Sequence, residues 1–187
     1  SPAEGAPGGC AADGRPRGRK GVEGRVVEET EPCFRRSGSP AYWYVDDARG
    51  HGGSLLWTHA TDAVPDNHAA WSLTFEWPGT YLIEAWVEPD FAGSVQARYV
   101  VLSGDGEATV VVDQAGASGW TSLGEHAFAA AEGYEVRLGD DTGEPYALLR
   151  PIVFDAIRLT RTGGPAPATS SAAGGAGGGA TGTAAST

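Results

Sequence analysis

The stretch AAWSLTFEWPGTYLIEAWVEP, residues 69–89, decides the fold because it contains two runs in which every second side chain is apolar. From Trp71 to Phe75, and again after the turn expected at Pro78–Thr80, every second side chain is apolar. Successive side chains of an extended chain point to opposite faces, so this period of two is the pattern of a half-buried β-strand. The stretch therefore predicts two strands with one face in a core, and it places Trp86 on the opposite face.

Similar short β-rich runs occur along the chain and are separated mostly by Gly or Asp clusters. They lie at residues 41–45, 54–58, 95–102, 108–113, 134–138 and 152–159. The SGDG segment at residues 103–106 has the composition of a β-hairpin turn. The best helical candidate, EHAFAAAEG at residues 125–133, is short. Strands that recur with turns between them predict an all-β fold, a β-sandwich or jelly roll.

Composition divides the chain into three parts. Residues 1–24 are rich in Gly, Pro and Arg without periodicity, so we expect a disordered or linker segment there. Residues 163–187 contain no charge and no large apolar side chain, which predicts a flexible linker because nothing offsets the cost of ordering the backbone. The folded domain is therefore expected at residues 25–162. The chain starts at Ser1 and contains no Met, so we expect a fragment or a processed product.

The charge balance limits the partners. The chain has a formal net charge of -11 and a single Lys, whereas nucleic acids and anionic membranes require a basic face. No apolar run reaches the length that spans a bilayer. We therefore expect no nucleic acid partner and no membrane insertion, and we retain neutral sugars and basic peptides.

The cysteine content bears on the compartment. Cys10 and Cys33 form either one disulfide that ties the N-terminal segment to the first strand, or two unrelated thiols. An even number of cysteines is typical of exported proteins, so we expect a secreted or cell-surface location. Two sulfurs without neighbouring His exclude a structural zinc site, which requires more ligands.

No catalytic arrangement is recognisable in the sequence. It contains no Gly-x-Ser-x-Gly nucleophile motif, and none of its four histidines has the short spacing of a metal-binding pair. Carboxylate pairs such as Asp46 and Asp47 would permit a glycosidase dyad, but an acidic chain has such pairs by chance. We therefore expect a non-catalytic domain without a cofactor, with calcium as the one ion to consider.

Two acidic segments need separate interpretations. Asp140, Asp141 and Glu144 lie in the segment GDDTGE, where clustered carboxylates suit calcium and a plain acidic turn is the alternative. Asp155 is instead a lone carboxylate within the apolar run IVFDAIRL. A buried charge must be paired or hydrogen-bonded, so we predict that backbone amides of a neighbouring loop hold Asp155.

The aromatic residues carry the ligand hypothesis. Six Trp and six Tyr exceed what a core of this size requires, and flat rings are the usual platforms for sugar faces. Trp71 and Trp120 are interpreted as core residues. Trp43, Trp57 and Trp86 are the candidates for shallow stacking on a polysaccharide, and a buried structural role is the alternative for each.

The spacing of one further motif resembles a known family. Six residues follow the pattern Q-x4-G-W-x2-L-G-x3-F: Gln114, Gly119, Trp120, Leu123, Gly124 and Phe128. This motif, with PCFRRSGS, GTYLIEAWV, ARYVVLSGDGEATVVVDQ and VFDAIRLTR in order around it, resembles the golvesin C-terminal-like domain, also described as the carbohydrate-binding-like domain of a bacterial xanthan lyase. The resemblance extends from about Val27 to Arg161, and Asp155 and Ala156 match the family's closing strand. The segments NHAAW and RGHGGSLLWT depart from the commoner members.

The resemblance implies a galactose-binding-like β-sandwich that accompanies bacterial polysaccharide lyases and N-acetylmuramoyl-L-alanine amidases. In such a fold we expect the motif to form a corner, with Gln114 bonded to backbone across a strand crossing, Trp120 inside the sandwich, and glycines that permit turns. The expected function is that of an ancillary module that holds polysaccharide or cell wall (peptidoglycan) for a catalytic domain in the same parent chain. The alternatives are a fragment of such an amidase or lyase, and a structural spacer or protein-docking sandwich without a sugar ligand.

Overall fold

The structure, a computed structural model, describes residues 9–13 and 24–164. Within these residues the chain forms thirteen β-strands. The strands are β1 (Cys10–Ala11), β2 (Arg25–Val27), β3 (Phe34–Ser37), β4 (Tyr44–Asp46), β5 (Leu55–His59), β6 (His68–Thr74), β7 (Gly79–Val87), β8 (Ala97–Ser103), β9 (Gly106–Val112), β10 (Gly119–Phe128), β11 (Tyr134–Gly139), β12 (Pro151–Phe154) and β13 (Ile157–Gly163). Three short 3-10 helices lie at Pro40–Tyr42, Pro89–Phe91 and Tyr146–Leu148. Across the described residues, no helix has the length and hydropathy that crossing a membrane would require.

The strands form three sheets. The first sheet has the order β1-β6-β11-β8-β9, with β3 also paired to β6. The second sheet has the order β10-β7-β13-β2, and a small third sheet has the order β12-β5-β4. Strands β6 and β7 lie in different sheets, so the bend between them carries the chain from one layer to the other. The result is the all-β sandwich that the alternating sequence predicts.

The period of two sets the inner faces of the two large sheets. Trp71 on β6, and Tyr81 and Ile83 on β7, are buried in one continuous core. Phe75, just after β6, stacks on Phe128 of β10 with ring centroids 4.1 Å apart. Burying each of these large side chains contributes about 1.5–3 kcal/mol relative to leaving it exposed. The core therefore lies where the alternation predicts it.

Strand β10 corrects the expectations for the family motif. Residues 119–128 form one long strand paired with β7, and the helical candidate that overlaps its end is not helical. Leu123 is an extra residue in this strand, because the register with β7 shifts between Ser122 and Gly124. Gly124 has a φ of 95°, which glycine adopts without strain, so it serves a β-bulge and not a turn. The corner itself is the link between β9 and β10, where the chain changes sheets.

The run predicted at residues 152–159 is two strands. Strand β12 belongs to the small sheet and β13 to the second sheet, and Asp155 lies in the break between them. Asp155 accepts hydrogen bonds from the backbone N–H groups of His51 at 3.1 Å and Ala156 at 2.8 Å. The predicted contacts with backbone amides are therefore made at the point where the chain changes sheets.

The prediction for the N-terminal segment is corrected at residues 9–13. Strand β1 lies parallel to β6, with Cys10 opposite Leu73, and β3 pairs with the rest of the same edge of β6. A disulfide joins Cys10 to Cys33, which directly precedes β3. This segment is therefore part of the first sheet and not only a linker. The linker predicted at residues 163–187 begins within β13, which ends at Gly163. The remaining parts of the two predicted linkers, residues 1–8, 14–23 and 165–187, lie outside the described residues.

Candidate functional site

The small third sheet presents aromatic side chains on its outer face. Along β5, Leu56 and Thr58 are buried, whereas Trp57 and His59 between and after them are half-buried. Tyr44 on β4 lies directly across from Trp57 in the strand pairing. Their rings stack with centroids 4.2 Å apart and planes 19° apart. Cross-strand aromatic pairs stabilise a sheet, and this pair also forms a flat surface.

The 3-10 helices extend this surface. Tyr42 ends the first helix and is 43% exposed, and Tyr146 begins the third helix and is 46% exposed. The ring of Tyr146 lies 5.9 Å from His59, which in turn lies 5.2 Å from Trp57. Phe91, which ends the second helix, lies 6.1 Å from Trp57. The aromatic strip is defined as the rings of Phe91, Trp57, Tyr44, His59 and Tyr146.

A pocket of about 170 Å³ adjoins the aromatic strip. Its lining residues are Tyr42, Thr58, His59, Thr61, Asp66, Asp140 and Tyr146. Asp140 accepts hydrogen bonds from the backbone N–H groups of Asp66 at 3.0 Å and Asn67 at 2.9 Å, which fixes this carboxylate in place. Burial raises the pKa of Asp140 and lowers the pKa of His59, so it favours the uncharged form of each group. The pocket thus combines aromatic walls with hydroxyl, imidazole and carboxylate groups.

This arrangement suits a polar, ring-shaped molecule. Aromatic rings contact the C–H face of a sugar, while neighbouring polar groups bind its hydroxyls. Of the three tryptophans predicted to stack on sugar, only Trp57 lies in the aromatic strip. The sequence did not single out Tyr146 or Phe91, because tertiary packing alone brings their 3-10 helices to this sheet. The available signal was a nearby proline, since Phe91 ends a helix that begins at Pro89 and Tyr146 directly follows Pro145.

The structure corrects the prediction for Trp43. Its side chain is 9% exposed and packs edge-on against Phe154 of β12, with ring centroids 4.9 Å apart. Its Nε1 donates a hydrogen bond to the backbone oxygen of Ser37 at 3.1 Å. Trp43 is therefore a core residue, because its chain neighbours Tyr42 and Tyr44 take the exposed positions.

Trp86 and Trp120 form a second aromatic surface. Trp86 points to the outer face of the second sheet, as the alternation predicts. Trp120 pairs with it across β10 and β7, with ring centroids 5.3 Å apart, which corrects the assignment of Trp120 to the core. The ring of Trp120 also lies 4.8 Å from His51 and 4.4 Å from the guanidinium carbon of Arg158. These two rings are called the tryptophan pair.

The carboxylates predicted to bind calcium are engaged separately. Glu144 is buried and accepts hydrogen bonds from the hydroxyl of Ser94 and, at 2.5 Å, from Arg150. Burial acts to raise the pKa of Glu144, but its hydrogen bonds together lower it. Among the described residues, Asp140, Asp141 and Glu144 do not gather into a group with the spacing of metal ligands. The three carboxylates therefore make separate contacts in the structure, and calcium at this turn stays a prediction.

A different group of carboxylates surrounds Asp155. The ligand atoms of Glu28, Glu29 and Asp155 lie within 4.8 Å of one another. Burial, with the added charges of both glutamates, raises the pKa of Asp155 to about 7. Burial likewise raises the pKa of Glu29. The sequence showed Asp155 as a lone carboxylate because the glutamates follow β2, near the other end of the domain.

The strand order and the buried faces define a class, an all-β sandwich module. The family model described as the Golvesin C-terminal domain matches residues 30–161. Because this match covers more than half of the chain, the chain belongs to the golvesin C-terminal domain family. No curated protein sequence matches the chain.

Solved structures share this fold at low sequence identity. A xanthan lyase from Paenibacillus matches with a TM-score of 0.63 and 18% identity, over 75% of this chain and 13% of that chain. A GH26-CBM35 β-(1,4)-mannanase from Podospora anserina matches with a TM-score of 0.50 and 12% identity, over 79% of this chain and 29% of that chain. At these identities the likeness shows the fold alone. The chain corresponds to less than a third of the length of either enzyme.

Proposed function

We propose that this domain is a non-catalytic ancillary module that binds a neutral polysaccharide along the aromatic strip. The observation that carries the proposal is the stacked pair of Tyr44 and Trp57, which continues through His59 to Tyr146 and the polar pocket. Flat rings bind the C–H faces of sugars, and the adjacent hydroxyl and carboxylate groups bind sugar hydroxyls. A shallow site of this kind binds weakly and suits an extended polymer.

Charge supports a neutral ligand. None of the described residues that line the pocket is Lys or Arg, whereas Asp66 and Asp140 contribute carboxylates. The whole chain carries a formal net charge of -11. Both features repel a polyanion, so an uncharged sugar chain is the favoured ligand.

We extend the proposal to the setting of the module. The disulfide between Cys10 and Cys33 supports an oxidising compartment, and hence a secreted or cell-surface parent protein. The small share of the Paenibacillus xanthan lyase that the chain matches supports a module attached to a catalytic domain, such as a lyase or an amidase. In that setting the module holds polysaccharide or peptidoglycan near the catalytic domain. The effective concentration of the polymer at the catalytic domain is thereby raised.

Retention on polysaccharide tests the proposal. The full chain is mixed with insoluble neutral polysaccharides and with peptidoglycan, and the bound fraction is measured against concentration. We expect Tyr146→Ala to weaken binding about tenfold, because a lost stacking ring removes on the order of 1.4 kcal/mol. Leu148→Ala is the matched control, since Leu148 lies on the same 3-10 helix, is 54% exposed and does not line the pocket.

Two results would contradict this proposal. If no polysaccharide retains the wild-type chain, a structural spacer or a protein-docking sandwich becomes the better interpretation. If Tyr146→Ala and Trp57→Ala both bind as the wild type does, the ligand lies away from the aromatic strip. Trp86→Ala tests whether the tryptophan pair, the second aromatic surface, binds the polysaccharide. We expect this variant to be retained as the wild type is.

A further inference from the structure

Three carboxylates from distant parts of the chain meet beside the loop that carries His51. Glu28 and Glu29 follow β2, and Asp155 lies between β12 and β13. Their ligand atoms lie within 4.8 Å of one another. Glu29 is 8% exposed and Asp155 is 2% exposed, so water screens their mutual repulsion only weakly.

Two oxygens of this cluster have no hydrogen-bond partner. In the described part of the chain, Glu28 Oε2 and Glu29 Oε2 are both buried without one. The other oxygens are engaged, since Glu28 Oε1 lies 2.7 Å from His51 Nδ1 and Glu29 Oε1 accepts a hydrogen bond from the Ser54 hydroxyl. Buried carboxylate oxygens are costly unless they are paired or bind a cation. The two bare oxygens are therefore placed where they could bind a positively charged ligand.

We propose that Glu28, Glu29 and Asp155 bind one calcium ion. All three ligands are carboxylates, which suit hard cations, whereas zinc sites usually contain thiolate or imidazole. Calcium takes about six to eight oxygens in variable geometry, while magnesium requires a near-ideal octahedron. Waters complete the coordination of the ion. The site is separate from the acidic turn at Asp140 and from the aromatic strip, so it goes beyond sugar binding.

The loop over the cluster fits such a site. Gly50 has a φ of 92°, and a Cβ at this position would lie 2.6 Å from Asp155 Oδ2. Glycine therefore lets the loop backbone approach the carboxylate. The N–H of His51 donates to Asp155 and the His51 ring contacts Glu28, so one loop orients two of the ligands. Calcium here would join the segment after β2 to the break between β12 and β13, beneath this loop.

Calcium titration of the chelator-treated full chain tests the proposal. We expect isothermal titration calorimetry with CaCl2 to show one ion bound per chain. We expect the thermal unfolding temperature to rise by roughly 5–10 °C when free calcium exceeds its Kd about 100-fold. Magnesium chloride under the same conditions is expected to give a smaller rise.

Glu29→Gln is the diagnostic variant. Its amide oxygen still accepts the hydrogen bond from Ser54, but one negative charge is lost from the cluster. In chelator the variant is expected to unfold at the same or a higher temperature than the wild type, and it should lose the calcium-dependent rise. Glu28→Gln, at a less buried position, is a second variant with the same expected loss. Glu125→Gln, an exposed carboxylate on β10, is the control and keeps the full rise.

Three outcomes would overturn the proposal. The wild type could show neither a heat of calcium binding nor a rise in unfolding temperature. Glu29→Gln and Glu28→Gln could both respond to calcium as the wild type does. Finally, loss of the response in Asp141→Asn but not in Glu29→Gln would place the ion at the acidic turn.

Discussion

Gln114 is a buried polar side chain that anchors a corner of the sandwich. Its Nε2 donates hydrogen bonds to the Tyr99 hydroxyl at 3.0 Å and to the backbone oxygen of Val153 at 3.1 Å. Its Oε1 accepts a hydrogen bond from the N–H of Val153 at 3.1 Å. The amide pairs with β12 as a neighbouring strand would, so the link between β9 and β10 is joined to the small sheet. The sequence predicted the backbone contact but not this partner, which lies much further along the chain.

Gln114→Ala is expected to lower the free energy of unfolding by about 2–4 kcal/mol, because it leaves both backbone groups of Val153 and the Tyr99 hydroxyl without partners. Unfolding in denaturant measures this difference. Gln96→Ala is the control, since Gln96 is exposed, and its effect should stay within about 0.5 kcal/mol. If both variants lose equally little stability, the amide is not required at this corner.

At the scale of elements, β7 and β10 show how far the sequence predicts the fold. Every second side chain of β7 from Tyr81 to Val87 is apolar and buried, so its inner face could be predicted residue by residue. Strand β10 could not, because Gly119 and Gly124 interrupt the pattern and the bulge at Leu123 shifts the period by one. The aromatic strip could be predicted only at Trp57, since its other members had no pattern that joined them before the chain folded.

The disulfide between Cys10 and Cys33 holds β1 at the edge of β6. The double variant Cys10→Ser with Cys33→Ser is expected to lose about 3 kcal/mol of the free energy of unfolding, because the bond closes a loop with a sequence separation of 23. Unfolding in denaturant measures the loss, and hydrogen exchange should rise at Ala12, whose N–H donates to Thr74. Reductant should destabilise the wild type by a similar amount and leave the double variant unchanged. Equal stability of oxidised and reduced wild type would contradict this role.

At the scale of the whole molecule, negative charge is in excess, and part of the positive charge is already paired with carboxylates. The formal net charge is -11, and several arginines are already committed to carboxylates, as in the pairs Arg158 with Glu84 and Arg150 with Glu144. The long-range field therefore stays negative around the acidic pocket. Such a field does not concentrate an acidic polymer at the surface.

Binding to a neutral polysaccharide is therefore expected to change little with salt. Binding to polygalacturonate should be weaker at low salt and should increase toward 1 M NaCl, where the Debye length falls to about 3 Å. Electrophoresis through gels that contain each polymer compares the two. Stronger retardation by polygalacturonate at low salt would show that an acidic sugar, and not a neutral one, is the ligand.

The same disulfide governs how mechanical tension enters the domain. A pull on the chain ahead of Cys10 crosses the bond to Cys33, so the intervening segment, which includes β2, carries no load while the bond is intact. The load instead reaches the first sheet at the edge of β6, which β1 and β3 share. After reduction, the same pull would peel β1 away and then act on β2, a strand of three residues whose described partner is β13. The second sheet would then begin to lose its strand pairing at the edge formed by β2.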